Sequence, residues 1–175
     1  MGLKIDGKYF TIVEFQHVKP GKGGAFVRYK IKNLQNGRTI DQTCNAGTKF
    51  ENVQLITREM QYLYNDGAAY YFMDNETFEQ IPVSADFIGD NEQWLKENDN
   101  CQLLYADAEL LDVNPPMFIE VAITQTDPGF KGDTVQGGTK PATIETGATI
   151  QVPMYLNEGE VVKVDTRTGK FVSRV

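Results

Sequence analysis

The stretch "HVKPGKGGAFVRYKIKN", residues 17–33, decides how the chain is read. Its second half alternates cleanly. Val27, Tyr29 and Ile31 fall on one face, and Arg28, Lys30 and Lys32 on the other, the period of a half-buried strand. Upstream, "YFTIVEFQHV" is rich in β-branched and aromatic residues, which favour the same state. Between the two runs lies "KPGKGG", where a proline and three glycines spell a turn. The stretch is therefore expected to form a β-hairpin with Lys22 at its tip. Pro20 stiffens one side of that tip, while Gly21, Gly23 and Gly24 keep it slim. Lys19, Arg28, Lys30 and Lys32 give the hairpin a cationic shaft suited to a sugar-phosphate backbone. A solvated loop lysine is the plain alternative for Lys22.

Working outward, "NGRTIDQTC" adds an Asn36-Gly37 turn and another strand, so the first fifty or so residues read as a small antiparallel barrel. Short apolar runs bounded by turn residues continue to the end: "MQYLYNDG", "AAYYFMD", "TFEQIPVS", "CQLLYADAELLDV", "MFIEVAITQT", "ATIQVPMYL", "EVVKVDT" and "KFVSRV". Many short strands at near-regular spacing predict an all-β protein of barrels or sandwiches. One helix is expected in "DNEQWLKEND", with Asp90 as N-cap and Trp94 and Leu95 facing inward. The two prolines of "VNPPMF", 113–118, cannot sit inside a central strand and suggest a domain boundary. A second is placed near Glu51, which divides the chain into 1–51, 52–116 and 117–175.

The net charge of −7 is unevenly spread over the 175 residues. Residues 1–51 carry +5, residues 52–116 carry −11, and the remainder −1. Such a chain presents one end to polyanions and repels them along the next stretch. Apolar content of 41% is enough for real cores. No apolar run approaches the roughly 18 residues needed to span a bilayer, and "MGLKIDGKYF" lacks the build of a secretion signal. A cytoplasmic protein without membrane contact is expected. Cys44 and Cys101 stand far apart with no cluster of His, the pattern of two ordinary thiols and not of a metal knuckle or disulfide framework.

Catalytic chemistry finds little support. A Ser-His-acid hydrolase needs an imidazole, and His17 is the only histidine, at a strand end where packing or hydrogen bonding is its ordinary use. "GKGG" is not a P-loop, because a glycine follows the lysine and a strand follows the loop. The acids of the middle stretch do not take calcium-loop spacing. Neither a catalytic residue, a metal nor a cofactor is expected.

The segments "FQHVKPGKGGAFVR", "REMQYLYNDG", "YFMDNETFEQI", "TDPGFKGDT" and "KPATIETGATIQVPMYLNEGEVVKVDTRTGKFVSR" together resemble bacterial translation elongation factor P over essentially the whole chain. The resemblance implies an N-terminal SH3-like (KOW-type) barrel, an acidic OB-fold and a C-terminal OB-fold, arranged in an L that imitates a transfer RNA. It implies a non-enzymatic, monomeric factor. Such a factor binds the 70S ribosome beside the peptidyl-tRNA when synthesis stalls at consecutive prolines. Lys22 matches the residue that reaches toward the CCA end and is extended covalently by a lysine-modifying enzyme. The loop "GDTVQGGTK", with Gly132, Asp133, Thr134, Gly137, Gly138 and Lys140, matches the loop that approaches messenger RNA in the exit site. Arg174 matches an arginine that faces RNA, and Phe171 stands where the family usually has tyrosine. The runner-up is a generic OB-fold binder of single-stranded nucleic acid, which would need stacking aromatics on a basic groove.

Overall fold

The computed structural model describes residues 1–129 and 138–175. It is all-β, as expected, and its strands form three five-stranded sheets. The first holds β1 (Gly2–Ile5), β2 (Lys8–Val18), β3 (Phe26–Asn33), β4 (Thr39–Asn45) and β5 (Glu51–Val53), in the order β4-β3-β2-β1-β5. The second holds β6 (Leu55–Asn65), β7 (Ala69–Asp74), β8 (Gln80–Ser84), β9 (Asn100–Ala106) and β10 (Glu109–Asn114), in the order β10-β9-β6-β7-β8. In the third, β11 (Phe118–Thr126), β12 (Thr139–Ile144), β13 (Thr149–Pro153), β14 (Val161–Asp165) and β15 (Lys170–Arg174) run in the order β13-β12-β11-β14-β15. Pro115 and Pro116 fall between β10 and β11.

The packing groups the chain into two compact units, Met1–Arg58 with Leu103–Asp112, and Glu59–Gln102 with Val113–Val175. In the first, Leu3, Phe10, Val27, Tyr29 and Ile31 are buried together, and Tyr9, Val53, Ala106 and Leu111 form a companion cluster. In the second, period-two alternation along the third sheet buries Ile119, Val121, Ile123, Ile144, Ile150, Val152, Val162 and Val164. Each such side chain contributes about 1.5–3 kcal/mol through loss of apolar surface to water.

Trp94 joins that core although it precedes the third sheet in sequence. Gly169 lies beside it, where a Cβ would touch the indole at 3.4 Å, and its φ of +67° is what favours glycine there. Nearby, Lys96 Nζ donates to the Glu120 carbonyl at 2.6 Å and pairs with Glu145 at 3.5 Å. The segment 94–96 is thus fixed by apolar packing and by charge within the same few residues.

The expected helix is shifted and shortened. A single α-turn, α1, spans Ala85–Ile88, capped by Ser84, whose side chain accepts from the Phe87 N–H. Gly89–Trp94 then continues as a 3₁₀ segment. The cap is Ser84 and not Asp90, because Asp90 lies inside the 3₁₀ turn. Trp94 and Leu95 are buried as read from sequence. A further difference concerns "CQLLYADAELLDV", which is two strands joined at Asp107-Ala108, both at positive φ (49° and 65°).

Replacing Trp94 with alanine is expected to destabilise the Glu59–Gln102/Val113–Val175 unit by about 3–5 kcal/mol, the range for large aromatic deletions in cores. Urea unfolding followed by circular dichroism measures this. Phe87→Ala, at a half-exposed position, serves as the control and should cost under about 1 kcal/mol.

Candidate functional site: the Lys22 hairpin

β2 and β3 pair antiparallel from Phe10↔Asn33 to Val18↔Phe26, with one irregularity between Ile12 and Glu14. β4 extends the ladder on the other side of β3, from Phe26↔Asn45 to Lys32↔Thr39. The loop 19–25 crosses between β2 and β3, and its last residue is tied down by a 3.0 Å hydrogen bond from the Ala46 N–H to the Ala25 carbonyl. Lys19 to Gly24 are all exposed. Lys22 therefore stands at the far end of a long, register-locked ribbon.

Three glycines surround it for different reasons. Gly23 adopts φ +137°, which an L side chain rarely takes, and its nearest neighbour is Pro20 Cγ at 3.9 Å from an added Cβ. At Gly21 and Gly24 a Cβ would meet nothing within 4 Å, and neither has a positive φ in the restricted range. The internal structure does not require glycine at these two positions. Their smallness matters only to something outside the chain, or to the freedom of the loop itself.

The two faces of the hairpin differ as the alternation predicted. Val27, Tyr29 and Ile31 are buried. The Tyr29 hydroxyl donates to Gln42 Oε1 at 3.1 Å, and its ring meets Phe50 edge-on at 5.5 Å. Burial, and to a lesser degree Cys44, pushes this phenol above its usual range. On the opposite face the register sets Arg28 between Gln16 and Thr43, Lys30 between Glu14 and Asp41, and Lys32 between Thr11 and Thr39.

The shaft is less uniformly cationic than the sequence suggested. Lys30 Nζ lies 3.4 Å from Glu14 Oε2 and 3.9 Å from Asp41 Oδ1, so one ammonium bridges three strands. At this exposure the pairs contribute at most about 1 kcal/mol, yet they offset the charge of Lys30 locally. Lys19, Lys22, Arg28 and Lys32 form no ion pair among the described residues and are exposed. Sequence reading could not separate Lys30 from its neighbours, because its partners sit on two other strands.

The remaining residues singled out from sequence lie in the third sheet and its loop. Gly132, Asp133, Thr134 and Gly137 lie outside the described residues. Gly138, just before β12, is exposed. Lys140 departs from expectation: it is only 5% exposed, and its ammonium donates to the Asp127 carbonyl. A buried ammonium needs such an acceptor, so Lys140 is a structural cation in this conformation and not a presented one. Arg174 pairs with Glu160 at 3.0 Å while its side chain stays 62% exposed. Phe171 packs against the third core.

His17 is exposed and meets Phe15 edge-on at 5.0 Å. Cys101 is fully buried, and burial pushes its thiol up to about 12. Among the described residues no group of three or more His, Cys, Asp or Glu could hold a metal ion. No described helix is long and apolar enough to cross a membrane. Several acids of the middle stretch have local duties. Asp66 Oδ1 accepts from the Ala68 and Ala69 N–H groups, and Asp74 Oδ1 from those of Glu76 and Thr77. Backbone donors hold the Asp66 carboxyl below its ordinary range, with a smaller contribution from the Tyr71 hydroxyl.

Comparison with known proteins agrees along the whole chain. Residues 1–50 match the elongation factor P KOW-like domain, 55–113 the elongation factor P OB domain, and 116–174 the elongation factor P C-terminal domain. Elongation factor P of Caldanaerobacter subterraneus subsp. tengcongensis is 52% identical over 173 residues, covering 99% of this chain and 94% of the relative. That of Acetivibrio thermocellus is 51% identical over the same length, with the same coverage. Among solved structures, the eukaryotic translation initiation factor 5A from Methanococcus jannaschii aligns with a TM-score of 0.52 at 22% identity, over 65% of this chain and 85% of its own. That likeness is one of fold. The three domain matches and the near-full-length identities establish that this chain belongs to the elongation factor P family of translation factors.

Proposed function

We propose that this protein binds the 70S ribosome beside the peptidyl-tRNA and speeds peptide-bond formation at consecutive prolines, with Lys22 ordering the CCA end. The division into 1–51, 52–116 and 117–175 then assigns the first stretch to the tRNA end and the other two to the tRNA body and exit site. The observation that carries this reading is the tip itself. Lys22 is exposed on a register-locked ribbon, between Gly21 and the Gly23-Gly24 pair, and nothing inside the chain requires glycine at 21 or 24.

That geometry supports a physical role. Proline is a poor acceptor, and a nascent chain ending in prolines is badly aligned, so the reaction loses the advantage of well-placed partners. A cation at the end of a stiff hairpin contacts phosphate and hydroxyl oxygens through charge-assisted hydrogen bonds. It restores alignment without itself exchanging a proton or forming a bond. A covalent extension of Lys22 by a modifying enzyme lengthens the reach and adds donors. The protein is then a positioning factor, acting as a cytoplasmic monomer with no cofactor. Exposed Lys19, Arg28 and Lys32 supply the phosphate contacts of the shaft, with Arg174 doing the same on β15. The −11 charge of residues 52–116 keeps the rest from clinging to the wrong phosphates.

In a host lacking its own copy, Lys22→Ala is expected to lower synthesis through a Pro-Pro-Pro reporter by tenfold or more relative to wild type, since small misplacements of reacting groups carry losses up to about a hundredfold. Lys22→Arg keeps the charge but removes the amine that is extended, and is expected to fail nearly as badly. Full rescue by alanine contradicts the proposal.

The generic single-strand binder makes the opposite forecast for naked nucleic acid. On the present reading, mixed-sequence single-stranded DNA at physiological salt binds no more tightly than the non-specific range, with Kd of about 10⁻⁴–10⁻⁶ M. Fluorescence anisotropy measures it, and nanomolar affinity would favour the rival.

A further inference from the structure

The turn joining β7 to β8 presents a side chain that the fold does not bury. Phe78 lies in this turn at φ 61°, in the left-handed region where a bulky residue is an outlier. Asp6, Asn98 and Asp107 also have positive φ, but their short polar side chains tolerate it. Phe78 is 70% exposed, more than any other described phenylalanine. An exposed apolar side chain is ordinary by itself. One held in an unfavourable backbone state without gaining burial is not, and such outliers gather where a chain meets a ligand or partner.

Hydrogen bonds on every side fix the turn. The Asp74 N–H donates to the Glu79 carbonyl and the Phe78 N–H to the Asp74 carbonyl, each at 2.9 Å. Asp74, only 6% exposed, accepts through Oδ1 from the N–H groups of Glu76 and Thr77 at 2.8 and 3.1 Å. Asn75 Nδ2 donates to Asn100 Oδ1 at 3.1 Å, which ties the turn to β9. Phe78 is therefore held in water by a backbone that is already ordered. An aromatic presented this way loses little conformational freedom when a partner covers it, which is the property of an interface anchor.

The charge around Phe78 selects the partner. Glu76 and Glu79 flank it, are exposed, and form no ion pair among the described residues. A nucleic acid can stack a base on an exposed ring, but these two carboxylates repel its phosphates. A second copy of the chain meeting the same turn sets acid against acid. A protein surface with positive charge around an apolar pocket meets neither objection. Aromatic side chains belong to the buried centre of an interface and charged ones to its rim, the arrangement that Phe78, Glu76 and Glu79 offer.

We infer that the turn 74–79 is a docking point for a positively charged protein surface. Phe78 enters an apolar pocket of that partner, and Glu76 and Glu79 pair with Lys or Arg on the pocket's rim. The inference rests on the proposed binding to the ribosome and adds that, at this turn, the contact is made with protein and not with RNA. It is separate from Lys22.

The test titrates the full-length, fluorescently labelled protein with purified 70S ribosomes stalled at consecutive prolines. Phe78→Gly is expected to leave the urea midpoint essentially unchanged, since glycine suits this φ, and to weaken ribosome binding about tenfold, as loss of an anchor does. Reversing both flanking charges, Glu76→Lys with Glu79→Lys, is expected to weaken binding and slow association. With the photoreactive p-benzoylphenylalanine in place of Phe78, irradiation of the complex is expected to join the factor to a ribosomal protein. Undiminished affinity of the Phe78→Gly protein, tighter binding after charge reversal, or a cross-link to RNA or to nothing would overturn the docking point. A large fall in the urea midpoint would overturn it too, by making Phe78 a residue of the fold. If the wild type binds and Lys22→Ala fails in the Pro-Pro-Pro reporter while Phe78→Gly rescues fully, this inference alone falls; if the wild type does not bind these ribosomes, the proposed function falls with it.

Discussion

The burial of Val27, Tyr29 and Ile31 on one face of β3 is the constraint from which the rest of the hairpin follows. A strand has a side-chain period of two, so slipping the β2–β3 register by one residue would drive these three into water and turn Arg28, Lys30 and Lys32 into the core. The cost of that inversion pins the register. With the register fixed, the loop 19–25 can end in only one place, and Lys22 is carried there by strands that owe nothing to the tip sequence. The ladder from β4 through β3 to β2 stiffens the ribbon from both sides of β3. The tip itself is left unconstrained by the rest of the chain: a Cβ at Gly21 or Gly24 would meet nothing within 4 Å.

The cations of this chain divide by what they already touch. Lys30 bridges Glu14 and Asp41, Lys96 holds the Glu120 carbonyl and Glu145, and Lys140 holds the Asp127 carbonyl. These serve the fold. Lys19, Lys22, Arg28 and Lys32 are exposed and have no ion pair among the described residues. Net charge alone hides the distinction. A chain at −7 overall still presents a cationic end, because its acids are concentrated elsewhere and two of them, Asp66 and Asp74, accept from backbone N–H groups in turns.

The hairpin was legible from sequence because its signals are local and agree with one another: alternation in 26–32, a proline and glycines at the turn, and hydrophobic flanks. Other elements were not. β1 and β5 have four and three residues, too few for periodicity, although the Asp6-Gly7 pair, at φ 50° and 74°, is the kind of two-residue turn that betrays a hairpin. The Asp107-Ala108 turn lacks the glycine that would have marked it, so one run concealed two strands. β12 contains Pro141, which reads as a breaker. It is tolerated because the β11 pairing stops at Ala142. The α-turn was missed because its cap, Ser84, which accepts from the Phe87 N–H, lies ahead of the stretch in which the helix was expected. Burial of Lys140 depends on a carbonyl thirteen residues away, a contact that composition cannot foretell.

The account stands or falls on where the tip of the hairpin goes. The direct measurement is a density map of this factor bound to a ribosome stalled at consecutive prolines, isolated from the native host so that any extension of Lys22 is retained. The account predicts continuous density from Lys22 to the terminal nucleotides of the peptidyl-tRNA, with the shaft of Arg28 and Lys32 against phosphates. A tip pointing into bulk solvent, with the factor held only by its other sheets, would contradict it.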